Sequence, residues 1–521
     1  MVQATLGAML SSAVLGSLGG FDSVALGNND SQSLPVANLS GIGQYRACQL
    51  SESLSGLSLP RAVDAWLGVD YALQPILDRR FRPLEQPPEY FAEIKEANSF
   101  GPICVQDQSS GYGDEQSEAC LNFNVYRPTG VPLTQKLPTL VWIHGGAFSL
   151  YSGRAMDGGS FVASSEQPVM VVTFNYRLNS LGFLPTAFEY FHNYDGDKDA
   201  PLFARVILQS GAITARAFPD VSYPRYEDDF RTLMQYIGCD VRQSDEEQID
   251  CLRKAPVAKI REISSQIYAD AESNLSWPWQ PVVGGPRLER PGSQCYQERT
   301  FHPLPIITTH TTDEGKYYTP GNLETNDDFI RFWQNLSPYL NVTDLAILNE
   351  LYPDPVAHPD SIWGSSPNST QYNRLSGSWS DMAYICPSRE TAYRTSSKSI
   401  PTWRLRFNTP AHPLEAHGWR GIPHASDMAY LWNERSVPFP EVARMYHSYM
   451  ASFVAGGDPN EFRLPGAPEW PSYRTGDGIS GGCPKQLSVN PGDGTKTECD
   501  NVRLRQCEFW NDAERATRLN K

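Results

Sequence analysis

The sequence predicts an α/β protein with a mostly parallel central sheet flanked by helices. Two kinds of run carry that expectation. Short apolar runs, such as Thr139–Ile143 in "PTLVWIHGG" and 169–174 in "PVMVVTFNYR", read as strands buried on both faces. Between them lie long stretches with helical periodicity. The totals agree: 521 residues, 40% hydrophobic and 20% charged, describe an ordinary globular chain long enough for a large core.

Taken in chain order, residues 1–25 are apolar and rich in small residues, which reads as a secretory signal peptide, although no Lys or Arg precedes Arg46. Residues 34 to 130 are Pro-punctuated and read as irregular, with one strand at "CLNFNVYRP". The strands at 139–143 and 169–174 follow, then further runs in "LFARVILQSG", "PLPIITTHTTDEG" and "IPTWRLRF". Residues 224 to 300 and 325 to 398 read as mainly helical insertions above the sheet, where the walls of a cleft usually form. In "PEVARMYHSYMASFVAGGDPN", Val442, Met445, Tyr446, Tyr449 and Phe453 fall on one helical face, between Pro440 and the stop at Gly456 and Pro459. That stripe is core packing rather than a cofactor box.

A formal charge of -16 with no Lys/Arg cluster excludes nucleic acid as a partner. No run of 18 apolar residues is present, so no transmembrane segment is expected. Two closely spaced cysteine pairs, Cys104 with Cys120 and Cys239 with Cys251, lack the CxxC or Cys/His spacing of a metal site, which favours disulfides and an oxidising, extracellular location. Partners of Cys48, Cys295, Cys386, Cys483, Cys499 and Cys507 stay open. Asn29, Asn38, Asn274, Asn335, Asn341 and Asn368 stand in Asn-x-Ser/Thr triplets and are glycosylation acceptors if the chain is exported.

Chemistry gathers at the carboxyl ends of strands in such sheets. "LVWIHGGAFSLYSG" sets Gly145, Gly146 and Ala147 after a buried strand, where backbone N–H groups can approach a substrate oxyanion; a plain glycine turn is the bland alternative. Glu314 follows the strand of "IITTHTTDEG", and His424 lies in the loop of "RGIPHASDMAYLW". Either alone is more often structural, but a His with a carboxylate partner is a general base. A metal site from His412, His417 and His424 is disfavoured, because the first two are not one helical turn apart and Pro413 and Gly418 break a shared face.

In order and spacing, "RRFRPLEQP", "GPICVQ", "EACLNFNVYRP", "LVWIHGGAFSLYSG", "FNYRLNSLGFL", "LFARVILQSG", "TTDEGKYY" and "GIPHASDMAYLW" resemble the type-B carboxylesterase/lipase family, which includes cholinesterases and fungal extracellular lipases. The resemblance covers roughly residues 60 to 510. It implies an α/β-hydrolase fold in one domain, 34–515, and hydrolysis of small-molecule or lipid esters by a Ser-Glu-His triad without a cofactor. By position, Glu314 corresponds to the triad acid, His424 to the base, and Gly145, Gly146 and Ala147 to the oxyanion loop. Cys104–Cys120 and Cys239–Cys251 correspond to family disulfides.

One departure is large. Between "NYRLNSLGFL" and "LFARVILQSG" the family carries a helix, a central strand, the Gly-x-Ser-x-Gly elbow and the helix behind it. Here the block is missing, with the join near 188–191, and the nucleophilic serine is missing with it. The Gly-x-Ser-x-Gly around Ser480, in "GDGISGGCPK", lacks a strand before it and a helix after it, and it follows His424 instead of preceding the acid. Ser149 and Ser210 lie in family segments that are not catalytic. The expectation is therefore an ester hydrolase represented by a shortened, inactive splice form or gene model. A non-catalytic, cholinesterase-like adhesion protein is the alternative.

Overall fold

The computed structural model describes residues 34–39, 42–86, 93–108, 115–185, 202–284, 288–298, 300–364, 366–411, 418–434, 437–474 and 482–521. The expected leader, Asn29, the join near 188–191, His412, His417 and Ser480 lie outside the described residues.

The described strands that flank the site form two five-stranded sheets. The first contains β1 (Cys48–Glu52), β2 (Ser58–Asp70), β3 (Asn122–Pro128), β4 (Thr139–Ile143) and β5 (Met170–Phe174), in the order β1-β2-β3-β5-β4. Only β5 and β4 run parallel, with Met170 opposite Thr139 and Phe174 opposite Ile143. The other three pairings are antiparallel. The second sheet contains β6 (Val206–Gln209), β7 (Ile306–Thr311), β8 (Thr402–Phe407), β9 (Lys485–Val489) and β10 (Lys496–Cys499), in that order. There β6 to β9 are parallel and β10 is antiparallel.

Two expectations need correction. The parallel character is strongest in the second sheet; in the first only β4 and β5 pair in parallel, and β1, β2 and β3 have antiparallel neighbours. Residues 34 to 130 are also not irregular, since they supply β1, β2 and β3 besides the short strands Val36–Leu39 and Gly43–Arg46. In β2, Pro60 sits in the exposed first half, where a missing N–H costs little, and burial begins at Val63.

Helix α1 (Gly158–Ser164) packs on the first sheet, and Asp157 caps it by accepting from Ser160 N at 2.8 Å. The helical insertions run from α2 (Pro224–Ile237) through α3 (Asp245–Lys254) and α4 (Val257–Glu272) to α5 (Tyr372–Ser380) and α6 (Cys386–Ser396). A reciprocal Ser244/Glu247 box starts α3, and left-handed Gly238 ends α2. Between α5 and α6 the helix widens into a π turn, Asp381–Ile385. Pro387 lies just beyond that turn and has no N–H to return to the preceding one.

Helix α7 (Pro440–Gly456) lies under both sheets. Val442, Tyr446, Tyr449 and Phe453 are buried in one core with Val171 of the first sheet and Ile307, Leu405 and Phe407 of the second, while Met445 is partly buried against it. Pro440 opens α7 and left-handed Gly457 closes it.

The edges that end the two sheets, β4 and β6, differ from ordinary edges. Val141 and Ile143 on β4 are 57% and 66% exposed, whereas Trp142 on the other face meets Trp432 edge-on at 5.2 Å. Among the described residues, no strand pairs with the outer edge of β4 or of β6.

Disulfides join Cys104 to Cys120 and Cys239 to Cys251, and also Cys386 to Cys507 and Cys483 to Cys499. Cys48 and Cys295 are free thiols.

Candidate functional site

The carboxyl end of β7 delivers Glu314. Its side chain is fully buried and accepts three hydrogen bonds: Thr311 N–H at 2.7 Å and Ser210 Oγ–H at 2.6 Å on Oε1, and His424 Nδ1–H at 2.6 Å on Oε2. A carboxylate buried without such donors would be strongly disfavoured, so the three bonds are what keep it there. Gly315 follows because the backbone must pass close to α5: a Cβ there would run into Ser376 O, and its N–H donates to Ser380 Oγ at 2.7 Å.

The loop carrying His424 is fastened to the same turn. Ile422 N–H donates to Asp313 Oδ2 at 3.0 Å, and Gly421 takes φ +60 where a Cβ would strike that carboxylate. The imidazole is a quarter exposed, with Tyr318 and Tyr384 rings at 5.4 and 4.8 Å; Tyr384 comes from the π turn. Among the described residues no group hydrogen-bonds its Nε2, which faces away from the carboxylate. A neutral imidazole held this way can take a proton at Nε2 while Glu314 stabilises the resulting cation.

The loop after β4 is strained. Gly146 has φ 102, and Ala147 and Phe148 follow at φ 53 and 61, conformations that cost a non-glycine residue on the order of 1 kcal/mol or more. Two neighbours hold it in place. Asn179 donates from its backbone to Phe148 O at 2.8 Å and from its side chain to Ser149 O at 3.0 Å; Tyr176 OH donates to His144 O at 2.6 Å. Among the described residues, the N–H groups of Gly145, Gly146 and Ala147 donate to no carbonyl or side chain. His144 stacks on Tyr176 at 4.2 Å, and burial pushes its pKa down to about 4, so it adds no charge beneath the loop at neutral pH.

Thus Glu314 and His424, expected from separate strand ends, are joined directly. Ser210 and Asp313 were not singled out by the sequence for this site. Ser210 precedes Gly211 at the end of β6 with φ 47, and its hydroxyl proton goes to Glu314, not to His424. Ser149 is buried in the loop after β4. Deeper still, Asp427 accepts from Tyr446 OH and Gln209 Nε2, both at 3.0 Å. Burial, and secondly the Glu314 charge, raise its pKa. The described acceptors Asn38, Asn274, Asn335, Asn341 and Asn368 are all exposed.

Comparison with known proteins gives consistent findings. The model of the carboxylesterase family matches residues 53–196 and 191–510, two pieces that meet where the strand-elbow-helix block is expected. Secreted lipase 4 of Gibberella zeae is 45% identical, covering 93% of this chain and 95% of the lipase. That alignment has 537 positions against roughly 485 participating residues, 93% of 521, so about 50 positions face gaps in this chain. Lipase 2 of Geotrichum candidum is 25% identical over 79% of this chain and 86% of that lipase. The crystal structure of Aspergillus niger EstA superposes with a TM-score of 0.76 at 23% identity, covering 93% of this chain and 99% of EstA. The α/β-hydrolase fold is common to both.

Proposed function

We propose, from the premise that the chain belongs to the carboxylesterase family, that it is the shortened form of a secreted carboxylic ester hydrolase in one domain, 34–515, acting on small-molecule or lipid esters. In the complete machinery a serine attacks the ester carbonyl, His424 takes its proton, Glu314 orients and stabilises the imidazolium, and the N–H groups of 145–147 hold the oxyanion. The chain as written lacks that serine and forms no acyl-enzyme; in a comparable triad this loss costs about a million-fold in turnover.

The observation that carries the reading is the buried Glu314 bonded to His424 at 2.6 Å, a base and its orienter with no hydroxyl to activate. Two further facts support the missing block: the family match divides at 191–196, and β4 and β6 have unpaired outer edges among the described residues. An adhesion role would leave no reason to keep the Glu314–His424 pair. Cys104–Cys120 and Cys239–Cys251, with the exposed sequon asparagines, fit passage through a secretory route, where those asparagines carry glycans.

The deciding experiment is to sequence the source gene across the codons for Phe183 to Phe203. The reading expects in-frame coding for a strand, Gly-x-Ser-x-Gly and a helix there. Continuous coding without it would remove the shortened-form account.

A further inference from the structure

We propose that Arg216 is a carboxylate-binding, specificity-determining residue beside His424, so that the cleft holds an ester bearing an anionic group, or the acid that hydrolysis releases. The proposal rests on the ester-hydrolase reading of the site.

Arg216 lies in the segment after β6, six residues beyond Ser210. Its guanidinium carbon sits 3.7 Å from the centre of the Trp277 ring, which itself stacks on Trp379 at 5.4 Å. Trp277 meets Tyr318 edge-on at 6.2 Å, and Tyr318 and Tyr384 are the two rings against His424. The cation and the base therefore belong to one aromatic cluster. Burial pushes the Tyr384 hydroxyl pKa up to about 12, and the Arg216 guanidinium, by its charge and a side-chain hydrogen bond to that hydroxyl, opposes the rise.

The contacts leave this cation unfinished. Stacking on Trp277 occupies its face and Tyr384 takes one side-chain hydrogen bond, which leaves part of the N–H edge that grips a carboxylate. Nη1 is buried and has no hydrogen-bond partner among the described residues. Arg389 and Arg404, by contrast, share the Asp500 carboxylate. A buried donor left unmade is costly, and an anionic ligand group in this aromatic setting satisfies it.

The test is calorimetric titration of the full chain with monomethyl adipate, its neutral counterpart dimethyl adipate, and hexanoate. Monomethyl adipate is expected to bind roughly tenfold or more tightly than dimethyl adipate, as a charge-assisted hydrogen bond implies. Arg216→Gln should bring the two to similar affinity, while Arg216→Lys keeps part of the preference. Hexanoate binding as well as monomethyl adipate identifies the released acid as the source of the carboxylate; weak hexanoate binding identifies a substrate substituent. Equal affinity for the two adipate esters in the unmodified chain, or an intact preference in Arg216→Gln, overturns the proposal. Because binding needs no nucleophile, these outcomes stand apart from the gene-sequence test above.

Discussion

Glu314 is the residue on which the site's local order depends. Replacing it by Ala removes three acceptor contacts and strands the buried Thr311 N–H, so Glu314→Ala is expected to lower unfolding free energy by about 2 kcal/mol in urea titration. Ser210→Ala removes one donor and should cost about 1 kcal/mol. A second residue gives a pH signature away from the site. Burial pushes the pKa of His447 down to about 4, while its ring contacts Leu431 O at 3.1 Å. As pH falls, the unfolded chain takes up this proton near pH 6.5, before the folded one does. The contribution is therefore present above about pH 6.5 and is lost between there and pH 4, worth up to roughly 3 kcal/mol. His447→Gln is expected to flatten that part of the stability-pH curve measured by urea unfolding. Glu314 and His424 were legible because each closes an apolar run in a loop. Ser210 and Asp313 were not: the same residue types sit in solvated turns throughout the chain, and only the packing of β6 against β7 brings Ser210 to Glu314, and that of the His424 loop brings Ile422 to Asp313.

Among the elements, β4 and β6 set the molecule's weak point. A buried sheet interior is built from strands bonded on both sides, and an edge that exposes Val141 and Ile143 offers a template for another chain. Chain molecules are expected to self-associate through it. Val141→Lys combined with Ile143→Lys should reduce the association seen by light scattering, and change monomer stability by only about 0.5 kcal/mol, since both side chains already face solvent. The parallel strands β6 to β9 were readable as continuous apolar runs, apart from β9, whose Lys-Gln start hides it. Of the strands before residue 130, β3 was expected at "CLNFNVYRP", whereas β2 escaped because it begins with five residues that are mostly exposed and include Pro60, so neither alternation nor an apolar run marks its start. The stop of α7, by contrast, was written in its Gly-Gly-Asp-Pro sequence.

For the whole molecule, the Cys386–Cys507 bridge has the widest reach. It closes a separation of 121 residues and ties the start of α6 to the helix Leu504–Trp510. Cys386→Ser with Cys507→Ser is expected to cost about 2 to 5 kcal/mol, read by urea unfolding, and more than the loss of Cys104–Cys120, which spans 16 residues. That pairing could not be read from spacing alone, because partners this far apart in sequence are set by the packing of the finished fold. The family resemblance, in contrast, was legible across most of the chain.

The central claim is that an acid, a base and an anion cradle remain while the attacking hydroxyl has been removed. Burst hydrolysis of a p-nitrophenyl ester, with fluorophosphonate labelling in parallel, tests it on two proteins: the chain as written, and the chain with an in-frame strand, Gly-x-Ser-x-Gly and helix segment inserted near 188–191. The account predicts neither burst nor label for the first, and both for the second. A burst from the chain as written that disappears in Ser480→Ala would contradict it.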